Sequence, residues 1–286
     1  MGAIKMTAQD YANNASDIFV LPEAVVKIKQ LIDDDAAPME DIAQVINYDP
    51  AVMTQILKIS NSALYKFPNK ITTVTKAIQV IGTNAVYDLV LAYGVANAFK
   101  DIPTNVVDLD RFWERAVSCS LLAKFLAEEL GVKEPEKLFV CGLLHNLGEL
   151  VVVRLNPQLA EQCSAISAEN TPLSLQSRHL GFSYAEVGGK LLRLWGLPKD
   201  IYQPIFKQHA SQYKTETIEE QIIQLSVALA LNNVHKDVFV LYDNITPQMY
   251  EPLGFDLENL DNALDFTNLQ LMSAMALFSP SSFALY

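Results

Sequence analysis

Gly142-Leu143-Leu144-His145-Asn146-Leu147-Gly148 decides how this chain is read. A His and an Asn stand side by side in an apolar helical stretch, bracketed by glycines. Each glycine costs a helix about 1 kcal/mol relative to alanine, so the pair is expected where another helix crosses closely. His145 is read either as a hydrogen-bonded core group, able to pair with Glu149 one turn on, or as a ligand. An aspartate in place of Asn146 would be a hard anionic ligand for a divalent ion, and the neutral amide is a much poorer one.

Outward from this stretch nearly every segment carries helical periodicity, which predicts an all-α fold. Pro135 starts the helix that bears His145, with a break expected at Gly148 and an end at Asn156-Pro157. Before it, a long helix capped by Asp108 or Asp110 reaches Leu130 and is closed by Gly131. Nearer the N-terminus, helices are expected from Pro22, from near Pro38, from Asp49-Pro50, from Thr72 or Thr73 to Gly82, and from Asn84 to Phe99. The stretch 101–105 reads as a linker. After Pro157, helices are expected near 157–169, 172–180, 183–195, 198–209 and 216–235, with a last one near 267–278. The pair around Gly82 has a helix-turn-helix outline. Its second helix offers Tyr87, Asp88 and Tyr93 but no Lys or Arg before Lys100, so an ordinary helix pair is expected.

Composition narrows the function. The chain has 286 residues, half of them hydrophobic, and a net charge of −12. That acidity argues against a nucleic-acid surface and against docking on anionic lipid. Met1 to Tyr11 lacks the apolar core of a signal peptide, and no run of about 18 apolar residues predicts a membrane span. Cys119, Cys141 and Cys163 are far apart and odd in number, which suits buried thiols in a reducing cytosol. Nucleotide-binding glycine loops and a serine nucleophile elbow are absent from the sequence. Cys141 lies one turn before His145, but a Cys/His pair with no orienting carboxylate is weak support for catalysis. Trp113 and Trp195 read as core fillers.

Several motifs, in order along about residues 17–210, carry a family resemblance. They are Leu21-Pro22, Tyr48-Asp49-Pro50-Ala51-Val52, Ile59-Ser60-Asn61-Ser62-Ala63-Leu64-Tyr65, Ala77-Ile78-Gln79-Val80-Ile81-Gly82 and Phe112-Trp113. The stretch 142–148, Val187-Gly188 and Leu191-Leu192-Arg193-Leu194-Trp195-Gly196-Leu197-Pro198 complete the set. The chain resembles HDOD proteins, whose domain is related to the HD metal phosphohydrolases and is regarded as a non-catalytic signalling module. The resemblance implies an N-terminal helical lobe (1–102) packed on an HD-like helical lobe (103–212), followed by a helical extension (213–286).

The same resemblance locates a degenerate metal site. HD hydrolases hold divalent ions with a first His, a His-Asp pair and a distant Asp, and activate water against a phosphoester. Arg115 stands where the first His is expected, and Asn146 stands for the Asp. Tyr184 falls where related sequences often show His, and Gln208-His209 replaces a common His pair. Arginine is always cationic and cannot ligate a metal. An Arg115 guanidinium near Asn146 and a carboxylate would occupy the place of the ion. No catalytic residue, metal or cofactor is therefore assigned. Asp49 is read as an N-cap, and Asn61 and Ser62 as helix-stop residues; the alternative for all three is contact with a ligand or partner. The expected function is a cytoplasmic regulatory module that binds a protein partner or a small regulatory ligand between its lobes, with self-association open. The alternative is a divergent metal-dependent phosphohydrolase acting on a nucleotide or cyclic dinucleotide.

Overall fold

In the computed structural model, residues 6–33, 38–65, 67–102, 106–209 and 217–278 are described; residues 103–105 of the expected linker lie outside them. Among the described residues there is no strand, and an isolated bridge joins Ser167 to Asn170. The all-α class is as the periodicity predicts. Chain contacts define two compact units, Met1–Phe19 with Asp101–Asn268 and Val20–Lys100 with Leu269–Tyr286. This division differs from the three segments drawn from the sequence: the first helix groups with the larger unit, and most of the expected extension does too.

That first helix, α1 (Ala8–Ile18), opens on a reciprocal cap. Thr7 accepts from the Asp10 amide at 3.3 Å, and the Thr7 amide donates to Asp10 at 2.8 Å. Tyr11, Ala12 and Ala15 are buried along one stripe. Sequence reasoning passed over this helix, although Thr-x-x-Asp is close to a capping-box pattern.

The smaller unit holds α2 (Glu23–Asp33), α3 (Met39–Tyr48), α4 (Pro50–Ser60), α5 (Val74–Ile81) and α6 (Thr83–Ala98). Asp49 caps α4 by accepting from Ala51 and Val52 amides at 3.0 and 3.1 Å. Thr73 caps α5. Gly82, at φ +98°, turns the chain through 117° into α6, a conformation that side-chain-bearing residues rarely adopt. Tyr87, Asp88 and Tyr93 are buried, so the outline of a recognition helix is filled by a core helix.

In the larger unit, α7 (Leu109–Glu129) is capped by Asp108 and packs against α8 (Pro135–Leu144). The helix breaks at His145-Asn146, earlier than the expected Gly148, and resumes as α9 (Leu147–Leu155). Then come α10 (Pro157–Cys163), α11 (Pro172–His179), α12 (Tyr184–Leu194), α13 (Lys199–Lys207) and α14 (Ile218–Val234), the last packed on α7 and α13. The short α15 (Pro247–Tyr250) precedes α16 (Leu257–Phe278), which starts ten residues earlier than the sequence suggested. The stretch Pro135–Leu155 is apolar and long enough to cross a membrane, and 89% of its apolar 18-residue window is buried inside the protein. Trp113 is in the core, but Trp195 is only half-buried at the end of α12.

Candidate functional site

Two glycines set the distances around His145. A Cβ on Gly142 would stand 2.6 Å from the Ser120 Cα, so α8 lies almost backbone-to-backbone on α7. A Cβ on Gly148 would overlap the carbonyl oxygen of Tyr184 and come 2.9 Å from the Gly188 nitrogen. The close approaches expected at both positions bring α7, α9 and α12 around one point.

At that point sits an ion pair. Arg115, on α7, places Nη2 2.5 Å from Glu149 Oε2 on α9, with both side chains 12% exposed. The Asn146 amide donates to the same Glu149 oxygen. Arg115 and Asn146 are thus joined through a carboxylate that the sequence reading had offered to His145. Instead His145 directs Nδ1 to the carbonyl of Gly142 at 2.7 Å. A carbonyl only accepts, so Nδ1 carries the proton and Nε2 is the basic nitrogen. Gln208 donates to the His145 carbonyl at 2.8 Å, fixing the end of α13 to the break between α8 and α9.

The electrostatics follow from burial and one guanidinium. Burial, helped by the Arg115 charge, holds His145 down to about 3 and His209 down to about 4. His235, outside the sequence assignment, is likewise pushed down to about 4 by burial, then by Arg115 and Arg111. All three imidazoles are therefore neutral near pH 7. Tyr184 is buried, which drives its phenol well above the usual range, with Glu149 and Cys163 adding to the shift. Its hydroxyl lies beside the Cys163 sulfur and has no nitrogen or oxygen partner.

A cavity of about 470 Å³ opens on this cluster. Arg115, Glu149 and Tyr184 line it together with Arg111, Gln176 and His235. Arg111 pairs with Asp237 at 3.0 and 3.1 Å and reaches His235 Nδ1 at 3.2 Å. Arg111 and Arg115 are an i,i+4 pair, a signal the sequence contained. Nothing local in the sequence links them to His235 or Gln176.

Asp49, Asn61 and Ser62 belong to the smaller unit. The Asn61 amide donates to the Leu57 and Ile71 carbonyls at 2.7 Å each and accepts from the Ile71 amide at 2.8 Å. Ser62 donates to the Ile59 carbonyl at 2.6 Å. These are the backbone-satisfying roles expected of a helix stop.

The HDOD domain family matches residues 18–211. This chain belongs to the HDOD family. An uncharacterised protein of Treponema pallidum (strain Nichols) is 26% identical over 224 residues, which are 77% of this chain and 43% of that protein. The HDOD chain thus spans less than half the length of that curated relative. Among solved structures it is similar to an HDOD domain protein of unknown function from Geobacter sulfurreducens, with a TM-score of 0.72 and 20% identity over 95% of this chain and 98% of that one. A candidate signal transduction protein from Marinobacter aquaeolei VT8 gives 0.70 and 22% over 98% and 62%. A candidate phosphohydrolase from Shewanella amazonensis SB2B gives 0.67 and 21% over 96% and 98%. At these identities the likeness is one of fold.

HD relatives imply a divalent metal, and the residues here do not fit one. A guanidinium lies on Glu149, and Asn146 offers an amide. Among the described residues, no three His, Cys, Asp or Glu side chains are grouped to hold an ion.

Proposed function

We propose that this HDOD protein is a non-catalytic regulatory module whose former metal site has become a structural ion pair. The observation that carries the reading is the Arg115–Glu149 contact at 2.5 Å, with Asn146 on the same oxygen. The cation needed to hold these helices together is supplied by the chain. His145, Asn146, Arg115, Tyr184, Gln208 and His209 are then the remnant of a metal centre. Signal output would pass through a protein partner, a small regulatory ligand or a second copy of the chain, in the cytoplasm. The acidic balance of the chain speaks against nucleic acid and anionic membrane as partners. Metal analysis of the purified protein, paired with a phosphodiesterase assay, tests this. We expect substoichiometric Mn, Fe, Zn and Ni, and no hydrolysis. One metal per chain, with hydrolysis abolished by His145→Ala, would overturn it. A pull-down from the native cell would identify the partner.

One observation favours the alternative, a divergent metal-dependent phosphohydrolase acting on a nucleotide or cyclic dinucleotide. The His145 tautomer, with Nδ1 on the Gly142 carbonyl, is the one that presents Nε2 to a metal. Against it stands the permanent charge of Arg115, which disfavours a nearby divalent cation.

A further inference from the structure

The pocket beside Arg115 contains more donors than the protein uses. The ion pair with Glu149 engages Nη2 of Arg115, Nε is sealed from solvent, and the guanidinium meets the pocket through the remainder of a side chain that is 12% exposed. Gln176 is buried on the pocket wall; its Oε1 holds the Tyr184 amide at 2.8 Å, a bond that leaves its NH2 unengaged. His235 accepts from Arg111 at Nδ1, which puts its proton on Nε2 as a further donor. Glu149, the acceptor on the floor, already takes two donors. Donors that face a pocket without an acceptor favour a ligand that brings oxygen acceptors.

Charge and shape narrow the ligand further. The lining carries two guanidiniums against three carboxylates, Asp108, Glu149 and Asp237. The lining is net negative by one charge, so a dianion would be repelled more strongly than a monoanion, whose single charge Arg111 can balance by turning from Asp237. Arg111 is available for this, because its pair with Asp237 is exposed, at 42% and 57%, and such pairs are weak. Val107, Phe112, Ile166, Pro172 and Val238 form apolar walls. The volume, about 470 Å³, is within the roughly 300–1,000 Å³ of small-molecule sites.

We infer that this pocket binds an apolar monocarboxylic acid, its carboxylate held by Arg111 and Arg115 and its body against the Phe112 wall. The inference deepens the regulatory reading and rests on it for meaning, since the acid would be the small ligand that the module senses.

Thermal shift and calorimetry on the full chain test it, with benzoate and decanoate as probes, benzamide as the uncharged control and AMP as the phosphate monoester. Benzoate or decanoate should raise Tm and bind, benzamide should not, and AMP should bind more weakly than the carboxylate. Arg115→Gln would break the core ion pair, so the exposed Arg111 is the better variant. Arg111→Gln should weaken carboxylate binding about fivefold to tenfold while the unliganded Tm changes little, as expected for loss of one charged hydrogen-bond donor. Failure of both carboxylates to bind, equal binding of benzamide, tighter binding of AMP, or unchanged affinity in Arg111→Gln would each sink the inference. None of these outcomes touches the non-catalytic reading, which fails separately if stoichiometric metal and hydrolysis are found.

Discussion

Glu149 receives two donors, Arg115 from α7 and Asn146 from the break before its own helix. Both ends of the ion pair are nearly buried, so removing one strands the other. Arg115→Met should destabilise the protein by about 3–5 kcal/mol, read as a fall in urea midpoint. Adding Glu149→Gln to that variant should restore part of the loss, because the neutral amide still offers Asn146 an acceptor and no longer carries an unpaired charge. A double variant no more stable than Arg115→Met would contradict this account. The imidazoles make a second residue-scale prediction. His145, His209 and His235 are held at about 3, 4 and 4 in the fold, against an ordinary value of 6.5. Below pH 6.5 the unfolded chain takes up protons that the folded chain refuses. The stability conferred by the neutral forms is therefore complete above about pH 6.5 and is lost as pH falls toward 4. Each group contributes a slope of up to about 1.4 kcal/mol per pH unit in that window. Arg115 acts on all three, His209 also acts on His145, and Arg111, Asp237 and Asp108 act on His235. Urea midpoints measured from pH 7.5 to 4.5 should fall steeply below 6.5, and a flat profile would be inconsistent with neutral buried histidines.

At the scale of elements, helix crossings without side-chain spacers set the geometry. Gly148→Ala would drive a Cβ into the Tyr184 carbonyl, a backbone atom that cannot swing aside. We expect a loss of about 3 kcal/mol or more, at the upper end of overpacking costs. Gly82 is a different case, because space around it is open and its φ of +98° is the constraint. Gly82→Ala should therefore cost less, about 1–2 kcal/mol, through strain alone. Comparing the two by chemical denaturation separates a packing role from a conformational one. The opening stretch implied both close approaches in this region through its glycines. It did not show that the helix would break at His145-Asn146, because the break is held by Gln208, donated from α13.

For the whole molecule, the grouping of α1 with the larger unit matters most. Tyr11, Ala12, Ala15 and Phe19 are buried, and α1 packs on α12 and α9. Removing residues 1–19 exposes that surface, and Tm should fall by about 5–10 °C, as a loss of a few kcal/mol implies for a unit of this size. An unchanged Tm would show that α1 is dispensable. The sequence by itself determined the all-α class, most helix starts, the family and the close approach at Gly142 and Gly148. Those features rest on periodicity, capping residues and glycine placement, which act within a few residues of chain. The tertiary structure decided that Glu149 answers Arg115 and Asn146, not His145. It also decided that α1 and α14 join the larger unit, and that Arg111, His235 and Gln176 line one pocket. Apart from the Asn146–Glu149 bond, which spans three residues, those outcomes turn on burial and on partners up to more than a hundred residues away, whose distances no local pattern encodes.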